Sequence, residues 1–169
     1  MSITIQRATL DEVPAIVDFM IKARADMFPF LDQEANESHA AKELANFQKN
    51  YLEHPQGAFL TVQSDAQLVG TIGYSAYDNR FPHLEFDSGP VVEVLRLYID
   101  TEWRRMRLAS KLVDALKESA KQAGIKHLYL HTHPFLPHAI AFWKRHGFSI
   151  ITVDDDPVWQ TTHMKWPLE

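Results

Sequence analysis

The chain has 169 residues, 46% hydrophobic and 23% charged, with 17 Lys and Arg against 22 Asp and Glu for a formal net charge of −5. That length and composition suit one soluble α/β or α+β domain covering residues 1–169, and no apolar run reaches the roughly 20 residues that cross a bilayer. The absence of cysteine excludes disulfides, thiolate metal ligands and a cysteine nucleophile, which fits a reducing cytoplasm; the acidic balance argues against general nucleic-acid binding and suits a cationic or amine partner.

The first residues, MSITIQRATLDE, lack the apolar stretch of a signal peptide and read as a strand from Ser2 to Arg7. Thr9 and Glu12 have capping-box spacing, and Val13, Ile16, Val17, Met20 and Ile21 follow at helical spacing to about Asp26. FPFLDQ breaks that helix. Ala40, Leu44, Phe47 and Tyr51 mark a second one, which stops before Pro55. Ala58–Gln63 and Leu68–Tyr77 form a hairpin about the polar turn SDAQ, and the polar connection DNRFPHLEFDSGP leads to the next strand.

Residues 91–123 carry most information. The apolar strand VVEVLRLYID runs into the basic turn TEWRRMRLAS and then into a helix whose Leu108, Leu112, Leu116 and Ala120 share one face. Lys111, Asp114, Lys117 and Lys121 are expected on its outside, and Gly124 ends it. The first N–H groups of a helix have no partners within it and the dipole is positive there, so three arginines at such a start suit an anion, phosphate above all. Glu93 is the lone acid of the apolar strand. Lys126–Thr132 is a further strand, Ala139–Arg145 a short helix closed by Gly147, and Phe148–Val153 and Gln160–Trp166 are closing strands. Strands and helices interleave, which predicts a mixed central sheet.

This order resembles the GNAT superfamily of acyl-CoA N-acyltransferases. Three segments carry the likeness: EVLRLYID is similar to the family's fourth strand, WRRMRLASKL stands where the family has its Arg/Gln-x-x-Gly-x-Gly/Ala loop, and AIAFWKRHGF is similar to its A-x-x-Phe-Tyr-x-x-x-Gly-Phe helix and turn. The resemblance implies a mostly antiparallel mixed sheet flanked by about four helices. It implies acetyl-CoA as co-substrate with no metal, and a small-molecule or peptide primary amine as acceptor. No nucleic acid or membrane is expected as partner, and the family leaves room for a homodimer.

By the same resemblance Leu97, Tyr98 and Ile99 offer backbone groups to the pantetheine arm and the thioester carbonyl. Arg104, Arg105, Met106, Arg107, Leu108 and Ala109 wrap the pyrophosphate, with the Ser110 hydroxyl beside them. Leu136, Ala139, Phe142 and Trp143 line the opposite wall, and Phe28 and Phe30 lie where relatives bind the acceptor. Glu93 stands where several relatives place a general base. Two positions depart from the family: Arg107 replaces the loop glycine, and Trp143 replaces a tyrosine that protonates the departing thiolate.

Plainer readings of the same residues stay open. Glu93 either accepts a proton or pairs with Arg96 or a neighbouring basic residue. The Phe28 to Phe30 corner either walls the acceptor site or packs one helix on the next. Asp154, Asp155 and Asp156 suit an acidic turn better than a cation site, and the spacing of His131, His133, His138 and His146 is unlike zinc patterns. The rival function is a non-catalytic acyl-CoA-binding module, which Arg107 and Trp143 keep alive.

Overall fold

The computed structural model of the protein describes residues 2–27, 29, 32–104, 106–134, 136 and 138–167, with the backbone alone at Gln33 and Asn36. The expectations for Phe28, Phe30 and Arg105 lie outside the described residues.

Seven strands form one sheet in the order β1-β2-β3-β4-β5-β7-β6. They are β1 (Ile3–Arg7), β2 (Ala58–Ser64), β3 (Gln67–Ala76), β4 (Val91–Ile99), β5 (His127–Thr132), β6 (Ser149–Val153) and β7 (Thr162–Pro167). All neighbours are antiparallel except β4 and β5. Among the described residues four α-helices accompany them: α1 (Val13–Met27), α2 (Gln33–Phe47), α3 (Leu108–Gln122) and α4 (Ala139–Arg145). This is the expected mixed, mostly antiparallel sheet with flanking helices.

The period-two pattern of the strands divides the core in two. Val92 and Val94 of β4 share one cluster with Leu108, Leu112, Leu116 and Ala120 of α3, each of those four no more than 2% exposed. On the other face Ile16, Val17 and Met20 of α1 pack with Phe47, Tyr51, Phe59 and Tyr98. Each such side chain contributes about 1.5–3 kcal/mol by leaving water, so the leucine face of α3 stabilises a 15-residue helix that would be marginal alone in water.

Local chemistry sets the element ends. Glu12 accepts from the Thr9 N–H at 2.9 Å, which completes half of the anticipated capping box ahead of α1. The hairpin between β2 and β3 turns on Asp65 (φ 47°) and Ala66 (φ 73°), the left-handed pair that matches strand twist. The second helix starts well before Ala40, because Asp32 caps it by accepting from the Ala35 N–H at 2.6 Å. Its first turns hold no apolar stripe for periodicity to find. Phe47 and Tyr51 are buried as expected, whereas Leu44 is 52% exposed. The chain then unwinds into a wider, π-helical turn at Gln48–Glu53, so α-helical spacing is not kept from Phe47 through Tyr51. Lys117 also departs from expectation: its ammonium lies 4.2 Å over the Trp166 ring and donates to the His146 carbonyl at 2.5 Å, tying α3 to the end of α4. Among the described residues no helix is long and apolar enough to cross a membrane.

Candidate active site

The site begins with a fault in the sheet. Thr71 pairs with Tyr98 and Gly73 with Leu95, so β4 holds one residue more than β3 across this stretch. Arg96 takes up the difference at φ 61°, and the Thr71 hydroxyl donates to its carbonyl at 2.8 Å. The Arg96 guanidinium turns away from the sheet to ion-pair with Glu43 on α2, its Nε donating at 2.9 Å. The anticipated partnership of Arg96 with Glu93 is therefore absent. Although burial opposes its charge, the neighbouring Tyr51 and Glu43 hold the guanidinium more firmly protonated than usual.

Beyond Glu93, β4 has no strand partner on its other side among the described residues. It pairs with β5 only where Val91, Val92 and Glu93 meet His127, Leu128 and Tyr129. Beyond Glu93 the two strands part and a cleft of about 920 Å³ opens between them. This leaves the β4 edge at 94–99 facing the cleft, where a ligand with amide groups can meet it as a further strand would.

One mouth of the cleft is basic. Arg104, Arg107, Leu108, Ala109 and Ser110 line it. The N–H groups of Leu108, Ala109 and Ser110 precede the first helical bond, from the Lys111 N–H to the Arg107 carbonyl. Arg107 sits at φ 59°, ψ 22°, the left-handed conformation that glycine takes most easily, so the arginine keeps the glycine's backbone geometry and adds a cation. Ser110 Oγ lies 3.0 Å from His146 Nε2, which holds the hydroxyl at the side of this mouth. Met106 is exposed and outside the lining. Leu136, Ala139, Phe142 and Trp143 also line the cleft, and Trp143 is at once wall and core, 7% exposed against Phe148.

The other mouth holds the titratable groups. Ala23, Arg24 and Met27 of α1 line it together with Glu93, His131, His133 and Trp159. Glu93 is 4% exposed. Nη2 of Arg80 sits 2.5 Å from both of its carboxylate oxygens, and His131 Nδ1 lies 3.2 Å from Oε2. Burial alone would push this carboxyl up, but the hydrogen bond and charge of His131, then those of Arg80, outweigh it and hold Glu93 below the usual carboxylate range. His131 Nδ1 is buried and its contact with Glu93 is off the ideal hydrogen-bond direction.

Sequence reasoning missed that Arg80 and His131 both lie against Glu93. Arg80 comes from the connection between β3 and β4, where spacing gives no hint that the chain folds back onto Glu93. The signal for His131 was present: Tyr129 and His131 alternate on one face, and parallel pairing with Glu93 puts that face beside the carboxylate.

The model of the acetyltransferase (GNAT) family matches residues 18–148. The chain belongs to this family. An uncharacterized N-acetyltransferase of Escherichia coli (strain K12), YjgM, is 27% identical over 146 residues, covering 86% of this chain and 81% of that protein. Two solved structures share the fold of this GNAT chain. The PaiA N-acetyltransferase of Thermoplasma acidophilum in complex with coenzyme A has a TM-score of 0.74 at 18% identity, covering 99% of this chain and all of that one. The aminoglycoside 6′-acetyltransferase type Ii has a TM-score of 0.69 at 18% identity, covering 97% of this chain and 96% of that one.

Proposed function

We propose that this GNAT enzyme transfers an acetyl group from acetyl-CoA to a primary amine on a small molecule or peptide, by direct attack within a ternary complex. One observation carries the reading: the parting of β4 from β5 at Glu93 gives a single cleft with an anion-binding helix start at one mouth and a buried carboxylate–imidazole pair at the other. The residues present fit coenzyme A. Arg104, Arg107 and the N–H groups of Leu108, Ala109 and Ser110 would hold the pyrophosphate, and the open β4 edge at Leu97, Tyr98 and Ile99 would hold the pantetheine amides. The bound thioester supplies an activated acyl group. A backbone N–H at Tyr98 or Ile99 offers the hydrogen bond that favours charge on the carbonyl oxygen.

The amine must lose a proton first, which at pH 7 costs about 4.6 kcal/mol for a pKa near 10.4. A carboxylate clamped by Arg80 and depressed in pKa is a weak base by itself. We assign the proton to His131 at Nε2, with Glu93 facing Nδ1 and holding the ring in place. Glu93 thus acts through His131. Trp143 cannot supply a proton to the leaving thiolate, but a thiol of pKa about 8.5 leaves tolerably without one.

Two measurements test this. Calorimetric titration with acetyl-CoA should give binding that weakens in Arg104→Ala; no binding would sink the donor assignment. With a competent amine, His131→Asn and Glu93→Gln should lower kcat by about 10²–10⁴-fold with CoA affinity unchanged. His131→Asn should also remove the rising limb of the pH–rate profile. If that limb and the turnover survive, His131 is not the base.

A further inference from the structure

Tyr77 to Phe86 of the β3–β4 connection fold over the sheet face that carries Glu93, Tyr129, His131 and His163. At the rim of this cover, three side chains from separate parts of the chain converge. His83 comes from the connection, Asp154 follows β6, and His163 lies on β7. His83 Nε2 is 3.2 Å from Asp154 Oδ1, and His163 Nε2 is 3.1 Å from Oδ2, so two imidazoles address the two oxygens of one carboxylate. One potential ligand atom from each residue lies within 4.8 Å of the others.

We propose that His83, Asp154 and His163 form a binding site for a divalent transition-metal ion of the zinc class. Two imidazoles and one carboxylate are the hard-to-borderline donor set that such ions take, with the fourth position left for water. Donors on a tetrahedral zinc stand roughly 3.3 Å apart, given metal–ligand bonds of about 2.0–2.1 Å. The two histidine–aspartate separations already lie near that value, so modest closure of His83 on His163 completes the set. His163 is fully buried and is backed by Tyr129, whose hydroxyl lies 2.5 Å from Nδ1. With a metal on Nε2 the Nδ1–H donates to this hydroxyl, the outer-shell partner that metal-binding histidines usually have. His83 and Asp154 are partly exposed, which gives an ion its way in.

The position gives the ion something to do. His83 is three residues beyond Arg80, and the Phe81 ring between them packs 4.7 Å from the His163 ring and 5.6 Å from that of His131. An ion here would staple the connection to β7 and so hold Arg80 on Glu93.

The test uses the full chain without a polyhistidine tag, stripped with chelator. Titration with zinc chloride should show one ion per chain, and cobalt(II) should give the intense visible bands of a tetrahedral site. His83→Ala and Asp154→Asn should abolish both, whereas the exposed His54→Ala should change neither. Tyr129→Phe should weaken zinc about 10–100-fold while keeping the cobalt spectrum. Circular dichroism of the metal-free variants identifies any that fail to fold; His83→Ala, altered at an exposed side chain, is expected to stay folded. Zinc at one per chain that persists in His83→Ala and Asp154→Asn would overturn the site, as would no stoichiometric binding in the unaltered protein. Neither readout requires acetyl transfer.

Discussion

Arg107 joins a backbone requirement to a charge. Its left-handed conformation costs an arginine roughly 1 kcal/mol, yet the N–H groups of the turn can face an anion only in some such conformation. Arg107→Gly relieves the strain but frees the unfolded chain by about as much, so stability should stay within about 0.5 kcal/mol while acetyl-CoA affinity drops several-fold. Arg107→Val loses the same charge and adds a β-branch to a positive φ, so it should lose about 1–2 kcal/mol of stability as well. Urea unfolding beside calorimetry separates the two, and equal stability in both variants would refute the strain argument. A second residue sets a pH limit. Burial first, then the charges of Arg96 and Arg24, lower His39 to about 4, so it stays neutral at pH 7 beside Glu43. An unfolded chain takes up that proton near pH 6.5, so the folded state is most favoured above 6.5 and loses ground as pH falls towards 4. For this half-buried group the loss is on the order of 1 kcal/mol after solvent screening. His39→Asn should remove that part of the decline, measured by urea unfolding between pH 7 and 5.

At the scale of elements, the π-helical turn and the β4 bulge each rest on one local contact. The turn packs so closely on Gly57 that an added Cβ would lie 2.0 Å from the Asn50 carbonyl oxygen. A backbone atom cannot rotate aside, so Gly57→Ala should cost at least about 2 kcal/mol in thermal unfolding. The bulge depends on a fully buried hydroxyl: Thr71→Val keeps the shape but leaves the Arg96 carbonyl without that donor, at about 1–3 kcal/mol, and should weaken acetyl-CoA binding too if the bulge relaxes. These elements also show what could be read in advance. The leucine stripe of α3 follows from burial of one face, which leaves a period in the sequence, whereas β2 and β3 are buried on both faces and were legible as apolar runs about the polar turn SDAQ. The start of α2 was hidden because a cap, Asp32, rather than a stripe defines it. Leu44 was misread because its spacing fits the apolar stripe although the side chain is exposed, and the π-helical turn after Phe47 changes the period that follows. Arg80 on Glu93 and Arg96 on Glu43 were illegible because they join residues that only the tertiary fold brings together, one through a connection with no regular structure and one through a bulge.

Across the whole molecule the sheet is two blocks, β1 to β4 and β5 to β7, joined strand to strand only along Val91–Glu93 and His127–Tyr129. The open β4 edge leaves backbone groups without sheet partners, so the gap is the weakest line of the sheet and also the place for the donor. A ligand bound there makes contacts that unfolding must break. At 100 times its dissociation constant it should add about 2.7 kcal/mol, or roughly 5–10 °C in Tm for a chain of this size. The rise should not be uniform. Hydrogen exchange should slow most at residues 94–99, at 130–132 and at the α3 start, because those amides border the cleft, and should change little in the β1–β2 pair on the far side of the sheet. Free coenzyme A should reproduce most of the effect, since the pyrophosphate and pantetheine contacts do not involve the acetyl group, and Arg104→Ala should reduce it at fixed ligand concentration. Equal slowing in β1 and β2 would mean that the ligand acts through global stability alone, and a rise in Tm with no slowing at 94–99 would place the ligand outside the cleft.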